Sequence, residues 1–265
     1  MIINNIKTKK MKHLQALIGA LVLLVAVSCT KNQVEGYGSV SFALDNNVEI
    51  VEQTRSNVSD YTTLPSADDF TLTITGVSVT YEWTGKVSEW DPTTPLPVGN
   101  YSVVAEYGSL EEEGFDKPYF YGEVDSFAVQ GNETTAVSIP VALGNTIIKV
   151  SYSEMFKKYF TDYSFKLTRS NAEIVTFAKA ETRGAFVDGY KITVEGTMTG
   201  EQLIKNEDGE LVPKTFSYSK EYSNLAEATA YTLAFDVNNV GGATLTVTFN
   251  DTVETVDLGD IELNE

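Results

Sequence analysis

Phe70-Thr71-Leu72-Thr73-Ile74-Thr75 decides the fold class, because Phe70, Leu72 and Ile74 alternate with three threonines. Successive side chains of a strand point to opposite faces, so this spacing gathers the apolar groups on one face and the hydroxyls on the other. The same period of two returns upstream at Val40, Phe42 and Leu44. Downstream it returns at Tyr101, Val103, Ala105 and Tyr107, at Val137, Ile139 and Val141, at Ile148, Val150 and Tyr152, and at Leu245, Val247 and Phe249. Thr, Val, Tyr and Phe suit a pleated surface buried on one side. Turn formers separate the runs: Asp45-Asn46-Asn47, Gly99-Asn100, Gly131-Asn132, Asp208-Gly209 and Gly241-Gly242. The pattern predicts an all-β protein of antiparallel β-sandwiches, favoured over a barrel because the runs are short and irregularly spaced. One segment breaks the rhythm. Met155, Phe156, Tyr159 and Phe160 recur at helical spacing behind Ser153, which predicts a short helix over 153–160 with Ser153 as N-cap and its aromatic stripe packed on a sheet.

The N-terminus reads as a secretion signal. Lys7, Lys9, Lys10 and Lys12 precede an uncharged run over 14–27 that stops at Ser28-Cys29. Its strictly apolar part is shorter than the ~20 residues a membrane-crossing helix needs. Ala26-Val27-Ser28-Cys29 resembles the bacterial lipobox, with Ala where Leu is usual, and the resemblance implies a lipid on Cys29 as first residue of the mature chain. Cys29 is the only cysteine among 265 residues, so no intramolecular disulfide can form. One acyl chain holds a protein marginally and two or three hold it firmly. Residues 1–28 are thus expected to be a signal peptide and 29–36 the lipidated Cys with a polar tether, and the chain is expected at the outer membrane, on a face the sequence leaves open.

Loss of the signal discards four lysines and no acid, so the 19 basic and 37 acidic residues become 15 and 37, a balance of −22. Nucleic acid and anionic headgroups are poor partners for such a surface. The remaining length exceeds one sandwich of roughly 100 residues and argues for two, over 37–142 and 143–265, abutting through a very short linker.

Leu96-Pro97-Val98-Gly99-Asn100-Tyr101 is a turn feeding a strand, and it is similar to a recurrent opening of transthyretin-like and collagen-adhesin B-type sandwiches, in which the glycine permits the turn and the tyrosine enters the core. Together with the lipobox, Glu123-Val124-Asp125-Ser126-Phe127-Ala128-Val129 and Tyr159-Phe160-Thr161-Asp162-Tyr163, it makes the chain resemble a Bacteroidota cell-envelope lipoprotein family with fimbrillin-like, transthyretin-like sandwiches, chiefly over residues 36–180. The resemblance implies no assigned activity. In fimbrillins an envelope protease cuts after an arginine near an early strand, and a donor strand fills the vacated groove. Arg55 is the matching candidate for processing and 252–263 a candidate donor, against the plainer reading of a loop arginine and a last strand kept in its own sheet.

Most chemistries lack their parts. The sole histidine, His13, lies in the signal, so neither Ser-His-Asp nor Cys-His catalysis can be assembled. Zinc, copper and iron sites normally recruit His or Cys, so no metal is expected, and no cofactor loop follows a strand. Glu111-Glu112-Glu113 and Asp68-Asp69 are the carboxylate clusters an acid-pair glycosidase would need, and such charge runs are usually solvated loops. Asn206-Glu207-Asp208-Gly209-Glu210 reads as a hairpin turn and not a calcium loop. Trp83 and Trp90 bracket a hairpin and are candidate ligand contacts, weighed against burial in the core. The sequence therefore points to a non-enzymatic lipoprotein for adhesion or fimbria-like assembly, with the membrane and a protein as partners. A glycan-binding module is the alternative.

Overall fold

The computed structural model of the protein describes residues 36–46, 49–50, 56–238, 244–249 and 252–257. In chain order its strands are β1 (Tyr37–Asn46), β2 (Glu49–Ile50), β3 (Ser56–Asn57), β4 (Thr71–Gly76), β5 (Glu82–Lys86), β6 (Leu96–Pro97), β7 (Gly99–Tyr107), β8 (Gly114–Phe115), β9 (Phe120–Val129) and β10 (Thr134–Leu143). They continue as β11 (Thr146–Tyr152), β12 (Phe160–Arg169), β13 (Ala172–Ala178), β14 (Ala185–Val187), β15 (Lys191–Lys205), β16 (Leu211–Ser223), β17 (Thr229–Asn238), β18 (Thr244–Phe249) and β19 (Thr252–Asp257). A single α-helix among the described residues, α1 (Glu154–Tyr159), separates β11 from β12. The protein is all-β with one short helix, as the period-two pattern and the 153–160 segment indicate.

Seven strands form the first sheet in the order β5-β4-β7-β9-β10-β1-β6, and its core also takes in Ile147, Phe186 and Ala230. Phe70, Leu72 and Ile74 are all fully buried there, and the threonines between them face outward. A six-stranded sheet, β19-β18-β17-β11-β14-β8, and a four-stranded sheet, β13-β12-β15-β16, sandwich a second core. Aromatics dominate that core: Phe165 and Phe235 lie 4.1 Å apart between centroids. Gly196 makes room for them, since a Cβ there would sit 2.3 Å from the Phe165 ring.

Most pairings are antiparallel, with two exceptions that hairpin logic does not foresee. β1 runs parallel to β10, from Ser39 opposite Thr134 to Asn46 opposite Val141, and β11 runs parallel to β17. Neither pair is consecutive in the chain, so no tight turn fixes their relative direction.

The helix forms where its cap and stripe require. Ser153 Oγ accepts the Phe156 N–H at 3.0 Å, satisfying a donor the first turn leaves free. Phe156, Tyr159 and Phe160 are buried, while Met155 turns to solvent.

The 96–101 motif also has a physical explanation. Tyr101 is fully buried and its hydroxyl donates to the Pro97 carbonyl at 2.7 Å, tying the start of β7 back to β6. Gly99 is needed for packing: a Cβ would lie 2.6 Å from Val79 Cγ1.

Candidate functional site

The two tryptophans meet, but chiefly as packing. Trp83 sits on β5 opposite Ile74, and Trp90 follows a single 3-10 turn at Val87–Glu89. Their rings are 4.9 Å apart at 70°, and Trp90 is also edge-on to Phe42 of β1 at 5.5 Å. Both are half-buried against the first core. The Trp90 indole N–H donates to the Val40 carbonyl at 2.9 Å. An indole has one donor, so while this bond stands Trp90 offers a sugar hydroxyl no hydrogen bond. Half-buried, the pair leaves part of its ring surface in solvent.

The carboxylate clusters divide. Asp68 and Asp69 occupy an exposed turn capped by Ser66. Glu111 and Glu112 are exposed, and Glu112 pairs with Lys117 at 2.9 Å. That hydrogen bond holds the Glu112 carboxyl below its usual range, the opposite of what a general acid at neutral pH needs. A cavity of about 160 Å³ lies here, lined by Tyr107, Ser109, Glu112, Asp116 and Lys117 among others. Its second acid, Asp116, is paired with Arg183 at 2.7 Å. Both carboxylates are thus engaged by cations, and no free acid pair flanks the cavity. Among the described residues no group of three His, Cys, Asp or Glu is placed to hold a metal. Asn206 accepts from Gly209 and Glu210, closing the β15–β16 turn as a plain hairpin.

Glu113 behaves differently, and composition gave no sign of it. The segment between β7 and β9 leaves the first sheet so that β8 pairs with β14 at the edge of the six-stranded sheet. Glu113 receives Arg169 Nη2 at 2.7 Å, Arg169 Nε at 3.0 Å and the Asp188 backbone N–H at 2.8 Å. Arg169 also donates to the carbonyls of Lys191 and Asp188. The pair is largely buried, with side-chain exposures of 26% for Arg169 and 13% for Glu113, and the carboxylate raises the Arg169 pKa above its ordinary value. Alongside, Arg183 lies 4.5 Å over the Phe115 ring and binds both Asp116 and Glu181. The result is a clasp by which the first sheet grips the second core. Only the register of β8 and β14 could have revealed it, and two-residue strands leave no periodic trace.

Cys29 and Arg55 lie outside the described residues. The tail is described to Asp257, and Thr252–Asp257 pairs antiparallel with Thr244–Phe249 at the edge of its own sheet.

The family described as "Domain of unknown function (DUF4493)" matches residues 36–264. No curated protein matches the chain. Among solved structures the chain is similar to the fimbrial anchor protein Mfa2 from Porphyromonas gingivalis, at 8% identity and TM-score 0.41, covering 83% of this chain and 98% of that one. It is also similar to a candidate polysaccharide-binding protein from Bacteroides thetaiotaomicron, at 13% identity and TM-score 0.38, covering 84% and 99%. A candidate cell adhesion protein from Bacteroides ovatus gives 12% identity and TM-score 0.42 over 86% and 100%. At these values the likenesses carry no functional argument.

Proposed function

The chain belongs to the DUF4493 family, and from that premise we propose that it is a non-enzymatic protein of the cell envelope, held at the outer membrane by lipid on Cys29 and serving adhesion or fimbria-like assembly. The observation that carries this is the conjunction of a lone cysteine at the end of a short apolar run with a β-rich body whose clustered acids are solvated or ion-paired. Two cores fastened by the Glu113–Arg169 clasp suit holding a surface away from a membrane. Mass spectrometry of the N-terminal peptide from membranes tests the anchor: a diacylglyceryl-modified Cys29 is expected, and an unmodified cysteine on a soluble protein would end the proposal. Protease shaving of intact cells separates surface display, the outcome adhesion requires, from a periplasmic position.

Glycan binding at Trp83 and Trp90 is the second reading, favoured by the ring area they leave in solvent. Its test is a glycan array on which signal vanishes in Trp83→Ala. Processing after Arg55 would release the chain from Cys29, so in the assembly branch the lipid holds the protein only before cleavage, and a mature N-terminus at residue 56 in fibre fractions would establish that branch.

A further inference from the structure

One end of the first sheet is built from turns with little charge. β1 and β10 start at this end, β4 and β9 finish there, and the turns closing it are 76–80, 97–100 and 130–132, beside the incoming chain at 36–38. These stretches read Gly-Val-Ser-Val-Thr, Pro-Val-Gly-Asn, Gln-Gly-Asn and Gly-Tyr-Gly. The β9–β10 turn continues into exposed Glu133 and exposed Glu82 opens β5 beside Thr75, so this end carries two described acids in a chain with 37. Two side chains are exposed here against the ordinary apolar preference: Tyr37 at 63% and Val77 at 61%. The opposite end of the same sheet carries Asp68, Asp69, Glu89, Glu111, Glu112 and Asp116, and the second core begins there, directly after β10.

We infer that this acid-poor end lies against the lipid surface, so that the first sheet stands on the membrane and the second core points away from it. The inference rests on the Cys29 anchor proposed above. Cys29 precedes Gly36 by seven residues, and an extended chain covers at most ~3.6 Å per residue, so the acyl anchor is within about 25 Å of this end. The ten residues of β10, at about 3.3 Å each, set the acidic end roughly 30 Å farther away. Carboxylates are costly to press against a bilayer interface, so the end with Glu82 and Glu133 is favoured over the end with six acids, and tyrosine and small uncharged groups suit the interface. A protein partner or a second copy on this face are the rival occupants.

The full lipidated protein tests this. With Cys29 acylated, Val77→Cys, Asn132→Cys and Glu111→Cys each supply the sole free thiol for a bimane probe, and the variants are reconstituted in phosphatidylcholine vesicles carrying a headgroup nitroxide lipid. Strong quenching of the Val77→Cys and Asn132→Cys probes with none of the Glu111→Cys probe is the expected result. Vesicle-bound protein with equal quenching at all three positions, or with none at the first two, overturns the orientation. Failure of the wild-type protein to float with the vesicles, or flotation of Cys29→Ser, instead removes the anchor itself, so the two failures are told apart.

Discussion

Glu113→Ala is the substitution on which the clasp can be judged. It deletes three hydrogen bonds to one carboxylate, two from Arg169 at 2.7 and 3.0 Å and one from the Asp188 N–H at 2.8 Å. Breaking a buried ion pair by removing one partner costs about 3–5 kcal/mol. Two features lower that figure here. The Arg169 side chain keeps 26% of its exposure, so water reaches it, and it retains the Lys191 and Asp188 carbonyls. The expected loss is therefore about 2–3 kcal/mol. For a body of this size each kcal/mol moves the melting temperature by about 2–4 °C, so a fall of about 5–10 °C is expected by scanning calorimetry on a soluble form starting after Cys29. Glu113→Gln keeps one acceptor oxygen in place and should lose roughly half as much. Glu111→Ala, two residues away and solvated, should stay within about 0.5 kcal/mol of the parent. A double-mutant cycle with Arg169→Ala isolates the pair, and a coupling of about 1–3 kcal/mol is expected. Because the clasp joins the two cores, its loss should also broaden or split a single calorimetric transition. A Glu113→Ala protein that melts as the parent does, in one transition, would refute both the energetic estimate and the idea that the clasp couples the cores.

Further expectations follow from other contacts. Gly99→Ala drives a Cβ to 2.6 Å from Val79 Cγ1 and should destabilise by about 1–3 kcal/mol in urea melts, whereas Gly209→Ala, whose Cβ meets nothing within 4 Å, should cost less and only through its positive φ. Trp90→Phe leaves the Val40 carbonyl without its donor and should cost about 1–2 kcal/mol, read by denaturation followed at the remaining tryptophan. Glu181 is held down to about 2 by hydrogen bonds from the Arg183 side chain and from the Arg183 and Thr182 N–H groups. A depressed carboxyl contributes stability above its unfolded value of 4.5 that fades as pH falls toward 2, so Glu181→Gln should flatten the acid limb of a pH–stability curve and leave the neutral limb unchanged in slope. Tyr101, pushed up to about 12 first by burial and then by Tyr81, runs the other way. Its contribution is whole below pH 10 and lost as pH climbs to 12, so ultraviolet phenolate titration should show Tyr101 ionising late in the parent and the late step absent in Tyr101→Phe.

Strand identity was legible because the signal is local. The alternation of Phe70, Leu72 and Ile74 with threonines needs only that one face be buried, whatever covers it. The helix at 153–160 was legible for the same reason, an N-cap and a stripe in register with 3.6, although Met155 of that stripe turns to solvent. The parallel pairings β1–β10 and β11–β17 were not, since the choice of neighbour is made between strands far apart in the chain and leaves no mark on either. Trp83 and Trp90 illustrate a middle case: the sequence found the pair, but only the Val40 carbonyl position decides that one indole donor is already spent. Glu113 is the clear miss. Within Glu111-Glu112-Glu113 three identical residues have three fates, set by a two-residue strand that turns the third toward Arg169.

The clasp and the acid-poor end bear on one another. A lipid anchor alone fixes where a protein is attached and leaves its tilt free, and a second core held only through Gly144, Asn145 and the packing of Ile147, Phe186 and Ala230 into the first core could still rock toward the bilayer. Glu113, Phe115 and Asp116 limit that freedom by fastening the segment between β7 and β9 to β12, to β13 and to Arg183 ahead of β14. The clasp sits at the acidic end of the first sheet, roughly 30 Å by strand length from the turns at 76–80 and 130–132. Fastening there stiffens the junction without engaging the end nearest the tether. A hinge at the same junction would let thermal motion average out any orientation set by Tyr37 and Val77. With the junction locked, orientation at the membrane is transmitted to the far tip, so weakening the clasp should leave Val77→Cys quenching intact while raising the quenching of probes on the β15–β16 turn.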